Sequence, residues 1–319
     1  MTKILLIMCL FSHFAFASNT KDPTPIAPPE GLVPSALIMP GADNYYSSTT
    51  IIADKSRRTL SVWKSTNGKI DLLSYYPMDH GKKNGNKNKQ GDLKTPEGIY
   101  FIQDKKFAQE LEYNEYGVMA FTLNYPNHFD HMKRKTGGGI WLHSIPPHKT
   151  LKRGSRGCLV LREKQIKEVD KLISLNQRTP VLIFEKVEYI KPEELSANQI
   201  TITNWLKSWK AAWQSKNLKK YMKYYSSDFY AQGKNKKAWK KYKKGINRSV
   251  ASFSVDIKNP VIYKNKKQFI IRFLQSYNSS KLSDFGEKVL YVRMENNTLK
   301  IVNESWSAET KKVLGSLTL

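Results

Sequence analysis

Short apolar runs broken by turn residues dominate the chain from residue 49 onward. Apolar or β-branched side chains cluster at 51–53, 59–63 and 70–76, and Asn67-Gly68 stands between the last two, a pair that favours a tight hairpin turn. A loop of Lys, Asn and Gly fills 81–91, after which Thr95-Pro96-Glu97-Gly98 turns the chain into a strand at 99–103. Further strands are predicted at 118–123, 140–143 and 181–187. One helix interrupts them at 163–176, where Ile166, Val169, Ile173 and Leu175 approximate one face of a 3.6-residue period. Residues 49–187 therefore read as a mainly β domain with few helices.

The period changes further on. Trp205, Leu206, Trp209, Ala212 and Trp213 recur at helical spacing, an aromatic stripe that reads as the core face of a helix. Shorter helices are predicted at 218–225 and 236–247. Alternation then returns at Phe253, Val255 and Ile257, at Phe269, Ile271 and Phe273, at 289–294, and at 299–306 after the Asn296-Asn297 turn. Helices first and antiparallel strands second define an α+β domain over 199–319. The stretch 188–198, with Pro192, two Glu and small polar residues, reads as the linker between the two.

The N-terminus has its own composition. Lys3, an apolar stretch over 4–16 and the small residues Ala15 and Ala17 give residues 1–17 the form of a secretory signal peptide. The apolar stretch falls short of the ~20 residues that span a bilayer, and no later segment is apolar enough to do so. Residues 18–48 hold Pro23, Pro25, Pro28, Pro29 and Pro34 and read as a linker or an arm lying on a surface. Export changes the cysteine arithmetic. Of Cys9 and Cys158 only the second survives cleavage, an unpaired thiol in an oxidising compartment, which suggests chemistry rather than packing.

The formal net charge is +26, and it is unevenly placed. Between Lys207 and Lys267, 18 Lys and Arg face only Asp228 and Asp256. Such an excess suits a nucleic-acid binder. Export removes that partner and leaves anionic wall polymers or a solvated basic surface.

Candidate chemistry concentrates in Gly137-Gly138-Gly139-Ile140-Trp141-Leu142-His143-Ser144 and in Gly154-Ser155-Arg156-Gly157-Cys158. A strand ending at His143 and a loop returning at Cys158 bring an imidazole and a thiol together, as nucleophilic catalysis by cysteine requires. Arg156 favours the thiolate, and Gly157 permits a tight turn that aims backbone amides at a developing oxyanion. Ser144 orients the imidazole through its hydroxyl or carbonyl, or is an ordinary turn residue. His128 and His131 flank Phe129-Asp130, but zinc normally takes three or four protein ligands, so no metal and no cofactor are expected. His80 and His148 read as surface or loop residues.

The second of these motifs, with Gly91-Asp92-Leu93-Lys94-Thr95-Pro96-Glu97-Gly98 upstream, resembles the signature of the L,D-transpeptidases, the YkuD-type catalytic domain, over about residues 49–187. The resemblance implies that Cys158 attacks the carbonyl of the third residue of a peptidoglycan stem peptide, expels D-alanine and leaves a thioester, with His143 managing the protons. Ser144, Ser155, Arg156 and Gly157 are then supporting residues, Arg156 as a partner for a substrate carboxylate. The chain departs from the commonest pattern at Arg156, where His is usual, and at Ser144, where Gly is frequent.

The second half, through Trp205 to Trp213, Tyr221 to Phe229, Trp239, Gln275-Ser276-Tyr277 and Glu304-Ser305-Trp306, resembles an NTF2-like domain. The expected fold class is thus a mainly β L,D-transpeptidase catalytic domain followed by an α+β NTF2-like domain. That order resembles the cell-shape L,D-carboxypeptidases of helical Gram-negative bacteria. It implies a periplasmic enzyme that trims tetrapeptide stems. Transfer to an amine, forming 3-3 cross-links or attaching or releasing a wall-linked lipoprotein, and a non-catalytic basic wall-binding role are the alternatives.

Overall fold

The computed structural model describes residues 22–42 and 45–308, so the signal peptide expected at 1–17 lies outside the described residues. The first element is β1 (Val33–Pro34), followed by β2 (Thr49–Asp54), β3 (Thr59–Thr66), β4 (Lys69–Pro77) and β5 (Gly98–Phe107). Then come α1 (Tyr113–Tyr116), β6 (Met119–Leu123), α2 (His128–Met132), β7 (Trp141–Ile145), β8 (Leu159–Arg162), α3 (Glu163–Asp170) and β9 (Pro180–Phe184). Eight of these strands form one sheet in the order β4-β3-β2-β9-β5-β6-β7-β8. The β2/β9 and β7/β8 pairs are parallel and the others antiparallel.

Helix α3 is shorter than the 163–176 expected, and Leu175, assigned to its buried face, is exposed. The chain turns instead through Ser174 to Thr179, where the Ser174 amide donates to Thr179 Oγ1 at 2.8 Å. A side chain that satisfies the backbone locally competes with helix continuation.

The linker expected at 188–198 is instead β10 (Tyr189–Ile190) and the first turns of α4 (Pro192–Gln214). The residues that read as junction signals are helix-start signals. Pro192 occupies the first helical turn, where its missing N–H costs nothing, and Glu193 and Glu194 face the positive end of the helix dipole. After α4 come α5 (Leu218–Met222), β11 (Tyr230–Ala231), β12 (Lys234–Asn235) and α6 (Lys236–Ser249). The four-stranded antiparallel sheet β13 (Phe253–Asn265), β14 (Gln268–Ser279), β15 (Ser283–Glu295) and β16 (Thr298–Ala308) completes the domain.

Both sheets are buried on two faces where they approach each other. Ile51, Ala53, Tyr100, Ile102, Val181 and Ile183 turn to the catalytic domain's own core, which α3 covers with Ile166 and Val169. Their alternate neighbours Ile52, Ile99, Phe101 and Leu182 meet Val261, Tyr263, Ile270 and Val302 of the second sheet. The second sheet's other face, with Ile271, Phe273 and Leu290, packs on Trp209, Trp213 and Trp239 of the helices.

The proline-rich stretch lies on the catalytic domain's surface as an arm as far as Leu32, where the Ile26 amide donates to Thr59 Oγ1 at 3.0 Å, but the chain from Val33 onward does not. Ala36, Leu37 and Tyr46 are buried in the layer between the sheets, and Val33 and Ile38 in the helical core. Strand β1 pairs with β10, and Met39 exchanges backbone hydrogen bonds with Ile262 of β13 at 3.0 and 2.7 Å. Prolines exclude this segment from a sheet interior, but the non-proline residues after Pro34 are apolar and fill the seam.

Candidate active site

Strand β7 carries His143 and β8 begins one residue after Cys158. Leu142 pairs with Leu159 and His143 with Val160. Side chains alternate along a strand, so the position of Cys158 falls on the His143 face, one pair along. The Cys158 thiol is half-buried and donates to the Gly139 carbonyl at 3.6 Å, while His143 is buried at 5 % exposure. Parallel pairing of these two strands converts a separation of 15 positions into a shared face.

His143 is fixed from two sides. Its Nδ1 lies 2.7 Å from the Ser144 carbonyl, which only accepts, so Nδ1 carries the proton and Nε2 keeps the lone pair. Tyr116 packs edge-on against the imidazole with ring centres 5.2 Å apart, and against Trp141 at 4.9 Å. The Ser144 hydroxyl is engaged elsewhere. It accepts from the Val118 amide at 3.0 Å and donates to the Tyr116 carbonyl at 3.4 Å, tying α1 to β7. Gly117, at φ 64°, leaves room for that hydroxyl, and a Cβ there would overlap it. Ser144 thus orients the ring through its carbonyl and holds Tyr116 over it through its hydroxyl.

The Cys158 loop is locked by its neighbours. Ser155 Oγ accepts from the Gly157 amide at 2.9 Å and donates to the Cys158 carbonyl at 2.7 Å. Among the amides around Cys158 expected to face a developing oxyanion, that of Gly157 is therefore committed to Ser155. Gly157 has φ 140° and packs on the Lys94 carbonyl, where a Cβ would sit 2.8 Å from the oxygen. Thr95, fully buried, accepts from the Gly81 amide at 2.9 Å and donates to the Gly157 carbonyl at 2.9 Å. The upstream motif thereby clamps the cysteine loop. Asp92 orders that motif: burial opposes its charge, but the Asn88 and Lys89 amides and the Lys87 ammonium outweigh it and hold the carboxyl at about 2.

Electrostatics favour a neutral pair. Burial pushes the Cys158 thiol up, against the Trp141 amide and the Arg156 and Lys87 charges, which pull it down. Burial also pushes His143 down to about 4, with the Ser144 carbonyl and Glu115 opposing it. At neutral pH the resting site holds thiol and neutral imidazole rather than thiolate and imidazolium, and the imidazole is a competent proton acceptor. Arg156 is exposed beside the thiol.

His148 is exposed, and His80 stands on the loop between β4 and β5 but is buried there, with Nε2 3.2 Å from the Lys55 carbonyl. His128 packs on Tyr291 of the second domain at 5.2 Å. Sequence reasoning misses Tyr116 altogether, because a tyrosine in a four-residue helix carries no signal for contact with a strand that follows it.

Comparison with known proteins matches both halves. Residues 48–183 match the L,D-transpeptidase catalytic domain and residues 201–305 the Cds6 C-terminal NTF2-like domain. The structure of Bd1075 from Bdellovibrio bacteriovorus is 37 % identical and covers 88 % of this chain and 99 % of that one, with a TM-score of 0.81. The helical cell shape determining protein Pgp2 of Campylobacter jejuni is 25 % identical over 85 % of this chain and 94 % of its own, with a TM-score of 0.69. YafK of Escherichia coli (strain K12), an L,D-transpeptidase by name, is 25 % identical over 121 residues, 38 % of this chain. The matched region spans 45 % of YafK, less than half its length. With a relative at 37 % identity matched almost end to end and both domain types in the same order, the chain belongs to the family that joins an L,D-transpeptidase catalytic domain to a C-terminal NTF2-like domain.

Proposed function

We propose that this protein is an exported, periplasmic L,D-carboxypeptidase that removes the terminal D-alanine from tetrapeptide stems of peptidoglycan. The observation that carries the reading is the pairing of β7 with β8, which sets Cys158 on the His143 face while Ser144 holds Nδ1 and leaves Nε2 free to accept a proton. Cys158 Sγ attacks the carbonyl carbon of the third stem residue as its proton passes to His143 Nε2. The tetrahedral intermediate collapses, the C–N bond breaks, and the D-alanine amine leaves with that proton. Water, deprotonated by the same nitrogen, then attacks the thioester, the C–S bond breaks and the thiol is restored. Arg156 meets a stem carboxylate at the mouth. Water as acceptor is supported by the order of the two domains, which resembles that of the cell-shape L,D-carboxypeptidases.

Incubating the mature protein with tetrapeptide muropeptides should give tripeptides and free D-alanine. Cys158→Ala should abolish the release and His143→Ala should lower it by at least about a hundredfold, the usual scale of a lost general base. A folded Cys158→Ala protein that still releases D-alanine removes the assigned nucleophile. Accumulation of 3-3 dimers without a gain of tripeptide transfers the assignment to transpeptidation.

A further inference from the structure

The loop that joins His143 to Cys158 has no regular structure between β7 and β8, so its shape is set by the side chains that reach it. Leu151 is the fastening point. Its side chain is buried, its carbonyl accepts from the Arg58 guanidinium at 2.5 Å, and its amide donates to Asp22 Oδ1 at 3.1 Å. Arg58 also bonds Asp79 at 3.2 Å, and the second Asp79 oxygen accepts from the Gly154 amide at 2.8 Å, just ahead of Cys158.

Asp22 belongs to the proline-rich arm, far from this loop in sequence. Arg162, at the end of β8, grips its carboxylate with Nε and one terminal nitrogen, each at 2.5 Å, and donates through the other to the Lys149 and Pro147 carbonyls. Such a two-point fork fixes direction as well as distance. Burial opposes the charge of Asp22, but bonds from Arg162 and the Leu151 amide outweigh it and hold the carboxyl below its ordinary value. The arm is anchored again where the Ile26 amide donates to Thr59 Oγ1 at 3.0 Å and Arg57 donates to the Ala27 carbonyl at 3.5 Å. Pro23, Pro25, Pro28 and Pro29 stiffen it. From the loop, contact continues to the base. Lys149 donates to the Asn114 carbonyl and lies 3.8 Å from the Glu115 carboxylate of α1, the helix whose Tyr116 packs on His143.

We infer that the N-terminal arm is a strap on the active site and that Asp22 is a positioning residue: it fixes the 146–153 loop, which through Lys149 and α1 holds Tyr116 against the His143 ring. The reaction that this serves rests on the proposed function; the strap itself does not. A partly exposed ion pair adds little to stability, so the weight of this one falls on geometry. Displacing a reacting group by about 1 Å can cost on the order of a hundredfold in rate.

The test compares the full-length mature protein with its Asp22→Ala, Asp22→Asn and Lys149→Ala variants. In Asp22→Ala, amide hydrogen exchange should quicken about tenfold or more at 146–153 and 112–118 while the urea midpoint stays at the parent value. The kcat for D-alanine release from soluble tetrapeptide should fall about tenfold and KM should move less than about twofold, the split of a misplaced proton acceptor with ground-state binding kept. Asp22→Asn keeps an acceptor for the Leu151 amide and loses the charge, so its kcat should fall between the parent and Asp22→Ala. Lys149→Ala should lower kcat to a similar extent. The double variant with Asp22→Ala should lose no more than the larger single loss, because both substitutions act along one path. Losses that multiply, loop exchange that does not respond to Asp22→Ala, or a parent-level kcat on a loosened loop each overturn the proposal. A parent protein that releases no D-alanine removes the catalytic reading, while the exchange measurement still decides the strap.

Discussion

At the scale of single residues the site depends on which atoms are already engaged. Ser144 uses its carbonyl to set the His143 tautomer and its hydroxyl to hold the backbone at Tyr116 and Val118, so one residue aligns two parts of the site. Burial lowers His143 to about 4 and raises Cys158, and these two directions define a pH profile. The imidazole accepts a proton only when neutral, which it is above about 4. Thiolate does not accumulate in the free enzyme until pH exceeds the ordinary thiol range. The rate parameter kcat/KM for D-alanine release should therefore show no acid inflection near 6.5, where a solvent-exposed imidazole titrates, and should fall only as pH approaches 4. Initial rates between pH 4 and 9 check this; a clear half-point near 6.5 would mean that His143 titrates as though exposed.

The elements that make the protein one body are the least regular ones. The stretch from Val33 contributes the two strand residues of β1, yet Leu37 is wholly buried between the sheets and Tyr46 nearly so. Arg272 lies over the Tyr46 and Phe101 rings at 4.8 and 4.6 Å and pairs with Glu287 at 2.6 Å, while Arg178 of the catalytic domain reaches the same carboxylate. Leu37→Ala leaves a cavity in this layer and should cost about 2–5 kcal/mol. Because the layer is shared, calorimetry should show one cooperative transition for the parent protein and a split or broadened one for the variant. A unified transition lowered by less than 1 kcal/mol would place the domain coupling elsewhere.

At the scale of the whole molecule, burial of basic groups links stability to acid. His80, His128 and His143 are each lowered to about 4, in every case chiefly by burial. The unfolded chain binds protons at these sites below about 6.5 while the folded protein refuses them until about 4. Between those values the unfolded state holds more protons, so stability is complete above 6.5 and declines as pH falls toward 4. Urea midpoints should drop over that interval, at about 1.4 kcal/mol per site for each tenfold difference in proton affinity at most. A midpoint constant from pH 7 to pH 4.5 would contradict the burial of all three.

Much of this organisation is legible in the order of residues alone. The pair of motifs around His143 and Cys158, the two domain types, the Asn67-Gly68 hairpin and the aromatic stripe of α4 all follow from local pattern, because turn chemistry and side-chain period act over a few residues. The alternation of Phe269, Ile271 and Phe273 locates a strand but leaves open the burial of its other face, where Ile270 meets the catalytic domain's sheet. What local pattern leaves open is everything set by contacts far apart in the chain. Pro192 and two glutamates read equally as a linker or a helix start, and packing of Leu195 and Ile202 into the helical core decides for the helix. The stretch after Pro34 is a buried seam only because two sheets present apolar faces for Leu37 and Tyr46 to fill. The chemical residues are named by sequence; the tautomer of His143, the commitment of the Gly157 amide and the place of Tyr116 belong to tertiary structure. Tyr116 is brought from another element, and the Ser144 carbonyl and Ser155 hydroxyl, though close in the chain, engage His143 and Gly157 only in the backbone geometry that the folded strands and loop impose, of which sequence spacing holds no record.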